Sequence, residues 1–244
     1  GKAPAAATDL SLAGYRFSDN DGASWSTSSF FNATAVILDD EPILANLPAT
    51  PDPNAGTQLG NNGAGFDGLK AALGMAPGDV ITRVKEARLA GRGGAGFDTG
   101  TKWSTVPDEE EVYVVCNADE GEPGTFKDRY LLERAPFLVI EGLAIAAYAV
   151  GARKAFVYIR GEYPVARERI QAALDALKEA GFPASLGHNG DFQLDITVKV
   201  GGGSYVVGDE TALLNSLMGN RGYPLLKPPF PTEHGLWEKP TVVN

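Results

Sequence analysis

The clearest pattern along the chain is an alternation of short apolar runs with longer apolar or amphipathic segments after residue 110. Three runs rich in β-branched and apolar residues predict β-strands, at Glu111–Cys116, Ala155–Arg160 and Phe192–Val200. The longer segments predict three helices, at Pro136–Gly151, Pro164–Ala180 and Asp209–Met218. Strands and helices that alternate in this order predict an α/β fold with a parallel or mixed sheet and right-handed crossovers.

The pattern is weaker in the first part of the chain. Two helices are predicted, Gly68–Leu73 and Val80–Ala90. Residues 1–65 are rich in small and polar residues and predict a largely irregular extension with one short strand at Thr34–Leu38. We therefore divide the chain into this N-terminal extension and an α/β domain, 66–244.

Composition and charge narrow the class of protein. The chain has 244 residues, of which 43% are hydrophobic, so it can bury a core. Its formal net charge of −10 argues against nucleic acid as a partner, because phosphate backbones recruit basic surfaces. The single cysteine, Cys116, can form no internal disulfide and cannot by itself hold an iron–sulfur cluster. Without a signal-peptide pattern or a long apolar run, we expect a cytoplasmic protein, free or peripheral to a membrane complex, with no inserted segment.

Ligands of open α/β sheets bind beyond the carboxyl ends of the strands. Two such segments are dense in glycine and polar groups, 117–124 after the first strand and 201–211 after the third. Because both follow strands of one sheet, we expect them to meet at the same edge. The carboxylates of Asp119, Glu120 and Glu122 could accept hydrogen bonds from ribose hydroxyls or flavin ring N–H groups. They could also bind Mg²⁺ or Ca²⁺, or form a solvated acidic loop.

The stretch Gly91–Gly96 (GRGGAG) matches the G-x-G-x-x-G pattern of dinucleotide-binding loops. Its context differs, because a predicted helix precedes it where the Rossmann fingerprint needs a strand. Glycine backbone can still approach a phosphate or a flat ring, and Arg92 and Lys102 supply positive charge. A flexible loop with glycines at its turns explains this stretch alone equally well.

A proline-rich segment, Lys227–Pro231, is the last candidate for ligand binding. Its prolines hold the chain stiff, so that Phe230 could either stack on a base or pack into the core. The two histidines and Cys116 suggest no Cys–His or Ser–His–Asp arrangement. Hydride transfer between two bound cofactors needs little beyond positioning and polarity, so this scarcity of acid–base groups suits it.

Five blocks of sequence point to a known family. They are Gly91–Trp103, Cys116–Leu132, Gly208–Leu214, Arg221–Pro231 and Trp237–Asn244. In this order they resemble the flavoprotein subunit of respiratory complex I and the diaphorase subunits of NAD-reducing hydrogenases and NAD-dependent formate dehydrogenases. The resemblance covers about 66–244. It implies the family's FMN-binding domain, which is a Rossmann-like α/β fold but not a true Rossmann fold.

The resemblance also implies the site residues. FMN would contact Gly91, Arg92, Gly93, Gly94, Lys102, Asn117, Asp119, Glu120, Gly208, Asp209, Glu210, Thr211 and Asn244. The substrate NAD(H) would contact Phe97, Glu122, Glu210, Lys227 and Phe230, with the two aromatic rings near the adenine. The resemblance implies no catalytic acid–base residue and no metal ligand. Asp209 stands where a Glu is usual, and Thr105 replaces an aromatic residue that often helps to hold the adenine, so we expect weaker nucleotide binding.

Family members continue past the position of Asn244 into a ubiquitin-like domain and a helical domain with four cluster-binding cysteines. We therefore interpret the chain as a fragment and expect an iron–sulfur cluster only in the missing domain or on a partner. The leading hypothesis is an NADH dehydrogenase (diaphorase) module that passes electrons to iron–sulfur subunits. One such partner would be the 24 kDa-type subunit, which has a ferredoxin/thioredoxin-like fold. The alternative is a nucleotide-binding or assembly module without independent turnover. Complex I, hydrogenase and formate dehydrogenase all remain open as the parent enzyme.

Overall fold

The computed structural model describes residues 66–183 and 192–244. The extension 1–65, with its predicted strand at Thr34–Leu38, lies outside the described residues. The α-helices of the described ranges are α1 Asp67–Leu73, α2 Pro77–Glu86, α3 Thr99–Ser104, α4 Lys127–Arg134, α5 Pro136–Val150, α6 Pro164–Glu179 and α7 Glu210–Leu217. The strands are β1 Tyr113–Ala118, β2 Lys154–Ile159, β3 Asp195–Val200 and β4 Thr241–Val243. Short 3₁₀ turns lie at Tyr205–Gly208 and Leu236–Glu238.

The four strands form one parallel sheet in the order β3–β2–β1–β4. Val157 of β2 lies between Cys116 of β1 and Val198 of β3. The predicted α/β architecture is therefore confirmed, and the sheet is parallel rather than mixed. Because the strands run in one direction, their carboxyl ends share one edge, to which the loops after β1, β2 and β3 all belong.

Each face of the sheet has its own core. On one face α5 and α6 pack against side chains such as Val157, with Ile140 and Ile170 fully buried. The other face is covered by α7 and Leu236, which pack against Val115. Side chains alternate between the two faces along each strand, so neighbouring residues of β1 belong to different cores. Within the described ranges, no helix combines the length and the apolar character needed to cross a membrane.

Three elements are not predicted by the sequence pattern: α3, α4 and β4. Each is short, so it shows no usable hydrophobic period. The predicted helix Val80–Ala90 was also wrong at its end, because α2 stops at Glu86. Ala90 instead forms an antiparallel bridge with Asp98, which closes the glycine-rich loop.

Candidate functional site

The loops after the strands meet at the carboxyl edge of the sheet. The side chain of Asn117 donates a hydrogen bond of 2.9 Å to the carbonyl oxygen of Gly208. A Cβ added to Gly161, after β2, would lie 2.8 Å from the carbonyl oxygen of Gly201, after β3. These approaches confirm that the segments after the first and third strands converge. They also show why glycine is needed at Gly161, since any side chain there would meet backbone.

The glycine-rich loop is closed at its base and open at its tip. The N–H of Gly91 donates to the carbonyl oxygen of Phe97 at 2.8 Å. Gly93, Gly94 and Gly96 are exposed, and a Cβ on any of them would meet no atom within 4 Å. Gly94 and Gly96 have φ values of 114° and 64°, which favour glycine. Backbone at the tip is therefore accessible to a ligand, while Arg92 lies partly buried within the loop.

Gly100, which ends the glycine-rich stretch, has a packing role instead. A Cβ at Gly100 would lie 2.6 Å from the backbone nitrogen of Lys85, so α2 and α3 cross at a contact that excludes side chains. The chain before the loop is α2, not a strand. The interpretation of this motif as something other than a Rossmann fingerprint is therefore confirmed.

Two lysines surround one carboxylate beside this loop. Nζ of Lys102 lies 3.6 Å from Oε2 of Glu210, and Lys227 pairs with the other oxygen of the same carboxylate. Lys102 also donates a 2.7 Å hydrogen bond to the carbonyl oxygen of Val243 at the end of β4. Burial lowers the pKa of Lys102, although the charge of Glu210 opposes the shift. The cluster, with two cations for one anion, suits a negatively charged ligand.

Asp119 and Glu122 follow β1 at the carboxyl edge of the sheet. Asp119 is buried, yet its carboxylate accepts no hydrogen bond within the described residues. Burial raises the pKa of Asp119 to about 6, against the lowering effect of Arg160. Glu122 is exposed and accepts a hydrogen bond from the hydroxyl of Tyr205. Asp119 can therefore accept a hydrogen bond from a ligand without losing an internal partner.

The carboxylate of Glu120 is bound by the start of α4 rather than left open to a ligand. Its oxygens accept hydrogen bonds from the N–H groups of Asp128 and Arg129, both at 3.1 Å, and so cap α4. The metal-site alternative requires the three carboxylates to converge, and the structure separates them. No cluster of three or more candidate metal ligands is found in the parts of the chain that the structure describes.

The segment Gly208–Thr211 forms the start of α7. Oδ1 of Asp209 accepts hydrogen bonds from the N–H groups of Thr211 at 2.9 Å and Ala212 at 3.2 Å, so Asp209 is the N-cap. The hydroxyl of Thr211 accepts a 2.8 Å hydrogen bond from the N–H of Leu225. The side chains of Asp209 and Thr211 thus hold protein structure, whereas Glu210 stands beside the two lysines.

Asn244 extends β4 along β1. Its N–H donates to the carbonyl oxygen of Val115 at 3.0 Å, and its carbonyl accepts from the N–H of Asn117 at 2.7 Å. Its side-chain Oδ1 is buried and has no hydrogen-bond partner within the described residues. Buried polar atoms are nearly always paired, so an orphaned acceptor at this edge suits a ligand that brings a donor.

Three aromatic side chains are exposed around this region. Phe97 and Phe230 are each 52% exposed, which excludes the alternative that Phe230 packs into the core. Tyr205 is 63% exposed and lies against Gly121, where an added Cβ would be 3.3 Å from the tyrosine ring. The sequence pattern did not single out Tyr205.

Arg160 was also missed. It directly follows β2, and its guanidinium donates to the carbonyl oxygen of Glu120. The rule that ligands bind at strand ends also points to Arg160, because the second predicted strand, Ala155–Arg160, ends at this residue.

Comparisons with a family model and with known proteins point to the same family. Residues 84–244 match the model of the Nuo51 FMN-binding domain. The chain is 51% identical over 184 residues to the F subunit of NADH-quinone oxidoreductase of Aquifex aeolicus, covering 74% of this chain and 42% of that protein. It is 50% identical over 179 residues to the alpha subunit of the NAD-reducing hydrogenase HoxS of Cupriavidus necator, covering 72% of this chain and 30% of that protein.

A solved structure shows the same likeness. The fold resembles a crystal structure of NAD⁺-reducing NiFe-hydrogenase in the H₂-reduced state with a TM-score of 0.65 and 38% identity. That match covers 83% of this chain and 32% of the hydrogenase chain. The chain thus spans less than half the length of these relatives.

Proposed function

This chain belongs to the Nuo51 FMN-binding domain family, and we propose that it binds FMN and NAD(H) and carries hydride between them as the NADH dehydrogenase (diaphorase) module of a larger enzyme. One observation carries the proposal. An open glycine-rich loop, a net positive cluster around Lys102 and two acceptors lie at one edge of the sheet. Among the described residues, neither the Asp119 carboxylate nor Asn244 Oδ1 accepts a hydrogen bond. Each part alone also occurs in proteins that bind no cofactor, whereas their combination suits a flat, anionic cofactor with polar edges.

The residues at this edge fit the chemical groups of FMN. A phosphate needs positive charge and approachable backbone, which Lys102 and the glycines Gly93 and Gly94 offer. Ribityl hydroxyls and flavin ring N–H groups need acceptors, which Asp119 and Asn244 Oδ1 offer. FMN, when bound, supplies hydride exchange with the nicotinamide and release of electrons one at a time.

A second set of residues would stabilise the loops of the FMN site rather than contact the cofactor through their side chains. The side chains of Asn117, Glu120, Asp209 and Thr211 are engaged in hydrogen bonds with backbone or helix ends. We propose that they hold the loops in place, and that Gly91, Arg92 and Gly208 contribute backbone or charge at the cofactor's margin.

NAD(H) would lie against the exposed side of the same site. We propose that the half-exposed rings of Phe97 and Phe230 stack with the adenine, as aromatic faces do with bases. The carboxylates of Glu122 and Glu210 could accept hydrogen bonds from ribose hydroxyls, and Lys227 could attract the pyrophosphate. The chain's own residues would bind and orient the two rings, because hydride transfer between stacked cofactors needs positioning above all.

Electrons must then leave the flavin. We propose iron–sulfur partner subunits as acceptors, including the 24 kDa-type subunit, or a cluster held by another domain. The only cysteine, Cys116, lies within β1, and burial raises the pKa of its thiol to about 12, which disfavours the thiolate that a cluster requires.

Anaerobic reduction tests the proposal directly. The chain reconstituted with FMN should show a visible flavin spectrum that NADH bleaches, and it should reduce ferricyanide with turnover. Calorimetric binding of FMN or NAD(H) without bleaching and without ferricyanide reduction would instead support the alternative of a binding or assembly module. Absence of FMN binding would contradict the proposal altogether.

A further inference from the structure

Two charged residues after β2, Arg160 and Glu162, hold each other in a fixed arrangement. Nε of Arg160 donates to Oε2 of Glu162 at 3.1 Å, and Nη2 donates to Oε1 at 2.8 Å. Such a two-point contact fixes the plane of a guanidinium. The remaining nitrogen, Nη1, donates to the carbonyl oxygen of Glu120 in the loop after β1.

Glu162 reaches the loop after β3. Its Oε1 lies 3.3 Å from the position of a Cβ on Gly203, whose φ of 82° favours glycine. Gly161 lies next to the same loop, against the carbonyl oxygen of Gly201. Arg160 therefore joins the loops after β1 and β2, and Glu162 lies close to the loop after β3, at the edge where the candidate site lies.

Glu120 is held at both its backbone and its side chain. Arg160 binds its carbonyl, α4 and Tyr163 bind its carboxylate, and the hydroxyl of Tyr163 lies 3.1 Å from Oε2. The guanidinium carbon of Arg160 also lies 5.3 Å from the centre of the Tyr163 ring, within cation–π range. Asp119, immediately before Glu120, has no such restraint on its carboxylate. Fixing Glu120 therefore fixes the backbone from which the Asp119 side chain extends.

We infer that Arg160 is a positioning residue for the flavin site, which holds the Glu120 carbonyl so that the Asp119 carboxylate faces the cofactor, and that Glu162 keeps Arg160 in place. The inference rests on the proposed function, because it assumes FMN at this edge. Asp119 is the residue through which Arg160 acts.

The charges around Asp119 make this coupling measurable. The charged and titratable groups that face it are Arg160, Glu162 and Tyr158. Burial raises the pKa of Asp119 to about 6, the positive charge of Arg160 lowers it, and the negative charge of Glu162 raises it. Replacing Arg160 or Glu162 with an uncharged residue should therefore move the titration of Asp119 in opposite directions.

Flavin binding should follow this titration. The ionised carboxylate is the better acceptor, so binding should be tighter above the pKa of Asp119 than below it. Arg160→Met should raise the midpoint by about one pH unit, and Glu162→Gln should lower it. Arg160→Lys keeps the charge but loses the two-point contact, so the midpoint should stay near its wild-type value while affinity falls roughly tenfold.

The experiment measures dissociation constants by flavin fluorescence from about pH 5 to 8. Riboflavin is titrated beside FMN, since a phosphomonoester itself titrates near pH 6. In parallel, the carboxyl carbon of Asp119 is titrated by NMR in the ligand-free chain. Arg167→Met, which removes an exposed arginine of α6, is the matched control and should leave both midpoints unchanged.

Opposite shifts for Arg160→Met and Glu162→Gln, in both titrations, support the inference. Loss of thermal stability without a shift in either midpoint would show that Arg160 is merely structural and overturn it. Should Arg160→Met fail to fold, a lowered midpoint in Glu162→Gln together with a roughly tenfold loss of FMN affinity in Arg160→Lys supports the inference. Wild-type midpoints and wild-type affinity in both variants would overturn it. Shifts in the NMR midpoint without any FMN binding by the wild type would overturn the proposed function and the cofactor part of the inference, leaving the Arg160–Asp119 coupling.

Discussion

The ammonium group of Lys102 donates a 2.7 Å hydrogen bond to the carbonyl oxygen of Val243. Lys102 lies in α3, just after the glycine loop, and Val243 is the last residue of β4. Glu210, at the start of α7, lies 3.6 Å from the same ammonium group. The side chain of Lys102 therefore connects α3, which follows the glycine-rich loop, with the end of β4 and the start of α7.

Removal of the Lys102 charge should weaken FMN binding. Lys102→Met keeps most of the side-chain length and deletes the charge, so we expect the FMN dissociation constant to rise about 10- to 100-fold. Loss of the hydrogen bond to Val243 should cost about 1 kcal/mol of unfolding free energy, a modest amount because burial already disfavours the ammonium. Fluorescence titration measures the affinity, and Lys70→Met is the control, since Lys70 is exposed and pairs with Asp67 at 3.3 Å. Equal FMN affinity in both variants would contradict this placement of the charge.

Substitutions in the glycine-rich stretch should have different effects at its tip, where they should weaken FMN binding, and at Gly100, where they should lower stability. Gly93→Ala adds a methyl group where no atom lies within 4 Å, so it should leave stability unchanged and weaken FMN binding. Gly100→Ala forces a Cβ to within 2.6 Å of Lys85 and should cost about 1–3 kcal/mol of unfolding free energy. Urea unfolding and flavin titration of both variants give the comparison. If Gly93→Ala binds FMN normally, the tip of the loop is not a cofactor contact.

Glu120→Gln should lower the stability of the fold, and its effect on FMN binding should be a consequence of that change. Both carboxylate oxygens are bound to the N-terminus of α4, so loss of the charge should cost about 1–2 kcal/mol, and weaker FMN binding should follow from movement of the loop. Glu168→Gln on the exposed side of α6 is the matched control. Normal unfolding with reduced FMN affinity would instead place the Glu120 carboxylate against the cofactor.

The sequence pattern was sufficient for the parts of the fold with a long hydrophobic period. The apolar helix α5, the amphipathic helix α6 and the first three strands follow from periodicity. β4 could not be predicted, because three residues carry no period and form a strand only by pairing with β1. The convergence of the strand-end loops could be predicted, because it follows from parallel topology alone.

The direction of individual side chains could not be predicted. Glu120 and Asp209 were placed at the site by residue type and resemblance, yet both use their carboxylates to cap helices. The cap at Glu120 could not be foreseen, because α4 itself shows no clear pattern. Arg160 acts through a backbone carbonyl 40 residues earlier in the chain, a contact that only the fold brings together.

Glu141 is a buried acid outside the candidate site. It lies in the apolar helix α5, and its Oε1 accepts a 3.0 Å hydrogen bond from the N–H of Leu69 at the start of α1. Phe66, the residue before α1, provides no side-chain cap, so Glu141 takes that role from another helix. Its Oε2 is buried without a hydrogen-bond partner in the described residues, and burial raises the pKa of Glu141 to about 7.

This pKa predicts the pH dependence of stability. The folded chain holds the Glu141 proton up to about pH 7, whereas the unfolded chain releases it near the usual value of 4.5, so stability should fall as pH rises between these values. The loss should approach about 3 kcal/mol. Glu141→Gln lacks the ionisable group, so urea unfolding of the two proteins should diverge with pH in favour of the variant. Glu168→Gln should keep the wild-type profile, and a pH-independent difference for Glu141→Gln would show that the buried carboxyl does not titrate in this range.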